Sequence, residues 1–197
     1  MGGSCPPLAR AAARYRLCMV RTPDAAPTWR DLLALDDGAL LAQCEVDRFR
    51  ASGPGGQKRN KTDSAVRLRH RASGVEAQAF ESRSQHENRA RALRRLRRTV
   101  ALTLRAPVTL DGYTPPPELA VALAHGRLEL GARDARFPAA IAALFDLLEA
   151  NGWRISDGAA ELGVSTAAIG RFLETDLAVL RAANERRQAL GLRPLRV

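Results

Sequence analysis

Three glycines and a glutamine stand in one short run, Arg50-Ala51-Ser52-Gly53-Pro54-Gly55-Gly56-Gln57. Gly53, Gly55 and Gly56 lack a Cβ, so the backbone there reaches conformations closed to other residues and can approach a ligand closely. Gln57 adds a neutral side chain that both donates and accepts hydrogen bonds. Arg50, Lys58, Arg59 and Lys61 surround it with positive charge. The run holds no Ser–His or Cys–His pair with an orienting acid, and no pair of carboxylates. Chemistry built here would work through backbone N–H donors and positioning of reactants, not through a charged base. A surface hairpin that needs glycine for its turn would use the same residues, so the wider pattern has to decide.

The elements that must hold the run are legible around it. Residues 44–49 alternate as a strand, and 64–70 alternate again, with Ala65, Arg67 and Arg69 against Val66 and Leu68. Ala72-Ser73-Gly74 signals a turn, and 75–80 is its hairpin partner. Ser84, with Glu87 at capping-box spacing, opens a long helix. Leu93, Leu96 and Val100 form its apolar stripe, while Arg91, Arg94, Arg95, Arg97 and Arg98 cover much of the rest. A helical pattern over 29–43, broken at Asp36-Asp37-Gly38, precedes the first strand. The expectation is a small α+β domain over 29–105, with a small mixed sheet and a long basic helix.

Tyr113-Thr114-Pro115-Pro116-Pro117 reads as a stiff piece within a linker over 106–136. Beyond it the pattern is helical. Ile141, Leu144, Phe145 and Leu148 share a face, and Asn151-Gly152 ends that helix. Ser156 or Asp157 is expected to cap a helix running to Leu162, and Gly163 to turn the chain. Ser165 then caps a helix to Leu173, and Thr175 or Asp176 a last one ending at Gly191. Ala159, Gly163 and Ile169 have the spacing of a helix-turn-helix. Residues 137–197 are therefore expected to form an all-α, helix-turn-helix-like C-terminal domain, and 1–28 a flexible leader.

Charge narrows the class of partner. The chain carries a net charge of +10 over 197 residues. Residues 46–105 hold sixteen Lys and Arg against five Asp and Glu, whereas 1–45 are balanced and 106–197 carry ten against eleven. An excess confined to one segment is the footprint of a polyanion. Anionic lipid fits poorly, since the segment lacks a helix with a broad apolar face flanked by aromatics. The cysteines, Cys5, Cys18 and Cys44, form neither a CxxC pair nor a disulfide framework. No run approaches the length of a membrane span.

The longer pattern resembles the catalytic domain of class I peptide chain release factors and of their rescue relatives, the codon-independent peptidyl-tRNA hydrolases. After the Gly-Gly-Gln run come Asn60, then Ser64-Ala65-Val66-Arg67, His70, Ser73-Gly74, Arg83-Ser84-Gln85 and Asn88. The resemblance covers about residues 44–98. It implies hydrolysis of the peptidyl-tRNA ester in the peptidyl transferase centre of the large ribosomal subunit. It implies that Gly55 and Gly56 hold the loop's shape and that the Gln57 N–H stabilises the transition state. The Gln57 side chain would place water, and a methyltransferase would modify it at N5. Arg50, Lys58, Arg59, Asn60, Lys61, Arg67, Arg83, Arg91, Arg94, Arg95 and Arg98 would meet rRNA or tRNA. No metal or cofactor is implied.

Two departures from the family stand out. The Pro-Ala-Thr and Ser-Pro-Phe tripeptides of stop-codon readers are absent, so decoding is not expected. The folded-looking C-terminal region replaces the basic tail of the smaller rescue hydrolases. The leading expectation is a monomeric, cytoplasmic enzyme that releases nascent chains. The alternative is a nucleic-acid-binding regulator that uses residues 137–197 and has a retired hydrolase domain.

Overall fold

The computed structural model describes residues 27–49 and 64–196. Two short helices come first, α1 (Trp29–Leu33) and α2 (Asp37–Ala42). A capping box fixes the start of α1, with Thr28 and Asp31 each bonding the other's backbone N–H. Asp36 caps α2, which accounts for the break expected at Asp36-Asp37-Gly38.

Strands β1 (Cys44–Phe49), β2 (Ala65–His70) and β3 (Glu76–Ala79) follow in a sheet of order β1-β2-β3. Both pairings are antiparallel, so the sheet is a meander and not the mixed sheet expected. Five residues join β2 to β3, too few for the crossover a parallel pair requires. Val66, Leu68 and His70 point inward while Arg67 and Arg69 point out, the period of two read from the sequence. Gly74, at φ 70°, takes the left-handed position of the β2–β3 turn.

Helix α3 (Gln85–Thr103) lies across β2 and β3. Its buried face is Asn88, Ala92, Leu93, Leu96, Val100 and Ala101, the expected stripe widened by two small residues and an asparagine. Ser84 caps it through the Glu87 N–H at 3.3 Å. The reciprocal half of the box does not form, because the Ser84 N–H donates to Ser82 Oγ at 3.0 Å and Glu87 turns to Arg91.

The linker is more structured than an extended spacer. It contains α4 (Pro117–Ala120) and a ribbon of β4 (Leu123–Ala124) and β5 (Arg127–Leu128). His125 (φ 49°) and Gly126 (φ 71°) make its two-residue turn, the conformation that a type I′ hairpin needs. Leu119 and Ala122 are fully buried, so this segment contributes to the core.

Helices α5 (Phe137–Ala150), α6 (Ile155–Leu162), α7 (Thr166–Glu174) and α8 (Leu177–Ala189) complete the chain. The N-cap of α6 is Arg154 and not Ser156 or Asp157; Asp157 sits in the first turn and binds the Arg154 guanidinium at 2.6 Å. Gly163, at φ 64°, ends α6, and Ser165 and Asp176 cap α7 and α8. Gly158 lets α6 approach α5, since a Cβ there would meet Leu148 at 2.8 Å. Ten of the fourteen residues of α5 are buried, against α1, α3 and α4 among others. One hydrophobic cluster consequently runs from Trp29 through Leu96 and Val100 to Phe145 and Ala183.

At its centre lies Asp146, 2 % exposed. Its carboxylate accepts from Trp29 Nε1 at 2.6 Å and from the Ala106 N–H at 3.0 Å, and Arg105 lies 3.5 Å away. Helices α1, α3 and α5 are thus joined by a polar bond network within the apolar core.

Candidate functional site

Residues 50–63 lie outside the described residues, and with them Arg50, Gly55, Gly56, Gln57, Lys58, Arg59, Asn60 and Lys61. The structure does define the stem from which that run departs and to which it returns. Phe49 pairs with Ala65 across the β1–β2 ladder, so the two ends are held side by side. Arg67 crosses the same ladder to Asp47 at 3.1 Å and stacks over Phe49, 6.0 Å from its ring centre.

Asn88 supports the stem from beneath. It is fully buried, and its Nδ2 donates to the carbonyls of Ser64 at 2.6 Å and Ser82 at 2.7 Å. Its Oδ1 accepts the Ser82 N–H at 2.9 Å. One side chain therefore holds the residue before β2 and the turn before α3 in a single arrangement, with both amide hydrogens and the oxygen used.

His70 closes the far end of the hairpin. The Ser73 N–H donates to Nδ1 at 3.1 Å, so Nδ1 is unprotonated and Nε2–H donates to Gln43 Oε1 at 3.1 Å. Burial, together with the Arg71 charge, holds His70 below the usual histidine range. A neutral imidazole with both nitrogens engaged 1 % from solvent is a structural pin. Arg71 ties the same corner down through the carbonyls of Ala42 and Cys44, each at 3.1 Å.

The arginines of α3 divide into distinct groups. Arg97 donates to the Leu35 carbonyl at 2.7 Å and to Asp37 at 2.8 Å, which clamps the N-terminal helices onto α3. Arg95 reaches the Gln78 carbonyl at 2.7 Å and Glu81 at 2.5 Å, locking α3 to the end of β3. Arg98 meets Asp176, the cap of α8, at 3.0 Å. Arg91 has a loose i,i+4 partner in Glu87 at 3.6 Å. Arg94 is exposed and has no carboxylate partner among the described residues. Arg83 is exposed in the turn before the helix. The basic face expected as one surface is thus partly committed to holding the fold, because acids distant in sequence fold back onto it.

A cleft of about 900 Å³ runs along this face between α3 and the turn at 132–138, with Arg91, Arg94, Arg97 and Arg133 in its walls. Arg133 carried no signal in the sequence, since it lies in the linker and reaches α3 only through the tertiary fold. Among the described residues no three His, Cys, Asp or Glu side chains gather as metal ligands, and no helix is long and apolar enough to cross a membrane.

Comparison with known proteins places the segment. The family described as RF-1 domain matches residues 41–107. Peptide chain release factor 1 of Salinibacter ruber is 53% identical over 55 residues, 28% of this chain and 15% of that protein. The proteins of the same description from Nitrosomonas eutropha and Nitrosomonas europaea are each 56% identical over 52 residues, 26% of this chain and 14% of theirs. The match spans about one seventh of the length of these relatives. The RF-1 domain match begins just before β1 and ends just after Arg105, and so takes in the three-stranded sheet, the Gly-Gly-Gln run and α3. Residues 41–107 are therefore similar to the RF-1 domain and to a segment of peptide chain release factor 1.

Proposed function

We propose that this chain hydrolyses the ester between a nascent polypeptide and its tRNA on the ribosome, without reading a stop codon. The observation that carries this reading is the position of Gly55-Gly56-Gln57, on the connection between two paired strands inside a release-factor domain. Water adds across the ester carbonyl, the peptide leaves as a carboxylic acid, and the tRNA regains its terminal hydroxyl. The Gln57 N–H donates to the oxyanion that develops on that carbonyl, and the Gln57 side chain positions the water. Gly55 and Gly56 leave the backbone free to present that N–H. Methylation of Gln57 at N5 would remove one donor from the side chain and leave its carbonyl intact.

The enzyme acts as a cytoplasmic monomer, needs no cofactor, and meets peptidyl-tRNA and large-subunit rRNA. Residues 29–105 form the hydrolytic module, and 137–197, with α6 and α7 joined at Gly163 in a helix-turn-helix manner, select the ribosomal state. The test is peptide release from ribosomes stalled at the end of an mRNA lacking a stop codon. Gln57→Ala and Gly56→Ala should each lower the release rate by roughly 10²–10³-fold, the usual effect of losing one oxyanion donor or its geometry, with ribosome binding retained. Release by either variant at the wild-type rate would overturn the mechanism.

A further inference from the structure

The cleft between α3 and the turn at 132–138 has walls from two parts of the chain. Six arginines line it, Arg91, Arg94, Arg95, Arg97, Arg98 and Arg133, against three acids, Asp37, Glu81 and Asp134. Every one of those acids is already neutralised. Asp37 pairs with Arg97 at 2.8 Å, Glu81 with Arg95 at 2.5 Å, and Asp134 with Arg136 at 2.6 Å. Hydrogen bonds from Arg136 hold the Asp134 carboxyl down at about 2, so it stays a committed anion at any working pH. Arg98 is occupied by Asp176 from outside the cleft. What remains are Arg94 on α3 and Arg133 on the facing turn, both exposed and neither with a carboxylate partner among the described residues. Arg91, with only its loose partner, stands beside them.

Two uncommitted guanidiniums on the walls of one cleft suit a ligand whose anionic oxygens lie on a tetrahedral centre. A guanidinium presents its N–H groups as a planar fork, which grips a phosphate through two oxygens at once. The cleft is half-open and nine of its fourteen lining residues are charged, with Leu33, Phe137 and Pro138 as its larger apolar groups, which suits a charged backbone lying along it better than an apolar small molecule. We propose that this cleft seats the phosphodiester backbone of an RNA, with Arg94 and Arg133 gripping phosphate and Arg91 adding to the field. Arg133 lies outside the segment shared with the release factors, so the site belongs to this chain's own architecture. The hydrolase reading enters only in naming ribosomal RNA as the source; the ligand class follows from the cleft.

The test uses the full chain and a fluorescently labelled rRNA hairpin, with affinity measured by anisotropy across a salt series. Arg94→Ala and Arg133→Ala should each weaken binding roughly three- to tenfold at moderate salt and reduce the slope of log affinity against log salt by about 0.7–0.9. Arg133→Lys should keep the slope, since the charge remains, and lose part of the affinity with the fork. Arg171→Ala, at an exposed cation on α7 that does not line the cleft, should change neither. Wild-type affinity and slope in both cleft variants would overturn the proposal. So would displacement of the RNA by polyglutamate at equal charge concentration, which would mark the cleft as a site for acidic protein. Equal affinity for a DNA duplex, with the same losses in the variants, would reject RNA as the specific partner. Gln57→Ala should bind the hairpin like wild type. If release proved absent while the cleft variants behaved as stated, the hydrolase reading would fail and this one would stand.

Discussion

Replacing Asn88 tests the link between α3 and the stem of the Gly-Gly-Gln run. Asn88→Ala removes three hydrogen bonds, those to the carbonyls of Ser64 and Ser82 and that from the Ser82 N–H. At about 1 kcal/mol net for each, the loss is about 3 kcal/mol. Ser64 and Ser82 are half-buried, so water recovers part of it, while the void beneath them adds to it. The expected destabilisation is therefore about 2–4 kcal/mol, a fall in Tm of roughly 6–12 °C for a chain of this size. Asn88→Asp is the sharper variant. It keeps the shape and the acceptor for the Ser82 N–H, but sets a second oxygen against two carbonyls that now receive a donor. Its loss should exceed that of the alanine variant. Thermal unfolding followed by circular dichroism reads both. A Tm for Asn88→Ala within a degree of wild type, or Asn88→Asp more stable than Asn88→Ala, would refute the reasoning. Below both transitions, Asn88→Ala should release peptide more slowly per bound ribosome, because the segment returns into β2 from an unpinned residue.

Other perturbations follow from the same geometry. Asp146→Ala leaves Trp29 Nε1, the Ala106 N–H and Arg105 without their acceptor in the core, and should cost about 3–5 kcal/mol in urea denaturation. His70 favours its neutral form when folded, whereas the unfolded chain takes up a proton near 6.5, so its contribution is complete above that pH and is lost as pH falls below it. Denaturation midpoints measured from pH 7.5 down to 5.5 should therefore decline in wild type and decline less in His70→Gln. A chain ending at Arg136 should lose cooperative unfolding and expose the faces of α1, α3 and α4 that α5 covers, read by dye binding and a lost calorimetric transition.

The sequence made some of this legible and hid the rest for physical reasons. Helix α3 announced itself through Leu93, Leu96 and Val100 after Ser84, because a long amphipathic helix repeats its signal over several turns. Strand β2 did so through Val66, Leu68 and the outward arginines. The β4–β5 ribbon gave no signal: two-residue strands have no period, and His125 takes its left-handed turn without the usual asparagine or aspartate. The α6 cap is hidden because Ser156 and Asp157 both look like caps, and only the fold shows Asp157 serving Arg154 from inside the first turn. The glycines and glutamine of the Gly-Gly-Gln run are readable by type and order, and lie outside the described residues. Which arginines of α3 remain open was not, since Asp37 and Asp176, which take up Arg97 and Arg98, lie far from them in sequence. A charge count along the chain weighs all of these alike.

The Asp146 network sits astride the point where the likeness to the release factors ends. Arg105 and Ala106 are among the last residues matched by the RF-1 domain, and the carboxylate that holds them comes from a helix outside residues 41–107. The stretch that is similar to the release factors and the stretch that packs as one core are therefore different lengths of chain. A chimera joined at residue 107 would carry the whole recognisable sequence and leave Trp29, Arg105 and the apolar side of α3 facing a stranger. Transplanting residues 29–105 onto another scaffold would require moving α5 with them, and a drift in α5 reaches the strand stem, more than seventy residues earlier, through α3, which packs on both α5 and the sheet.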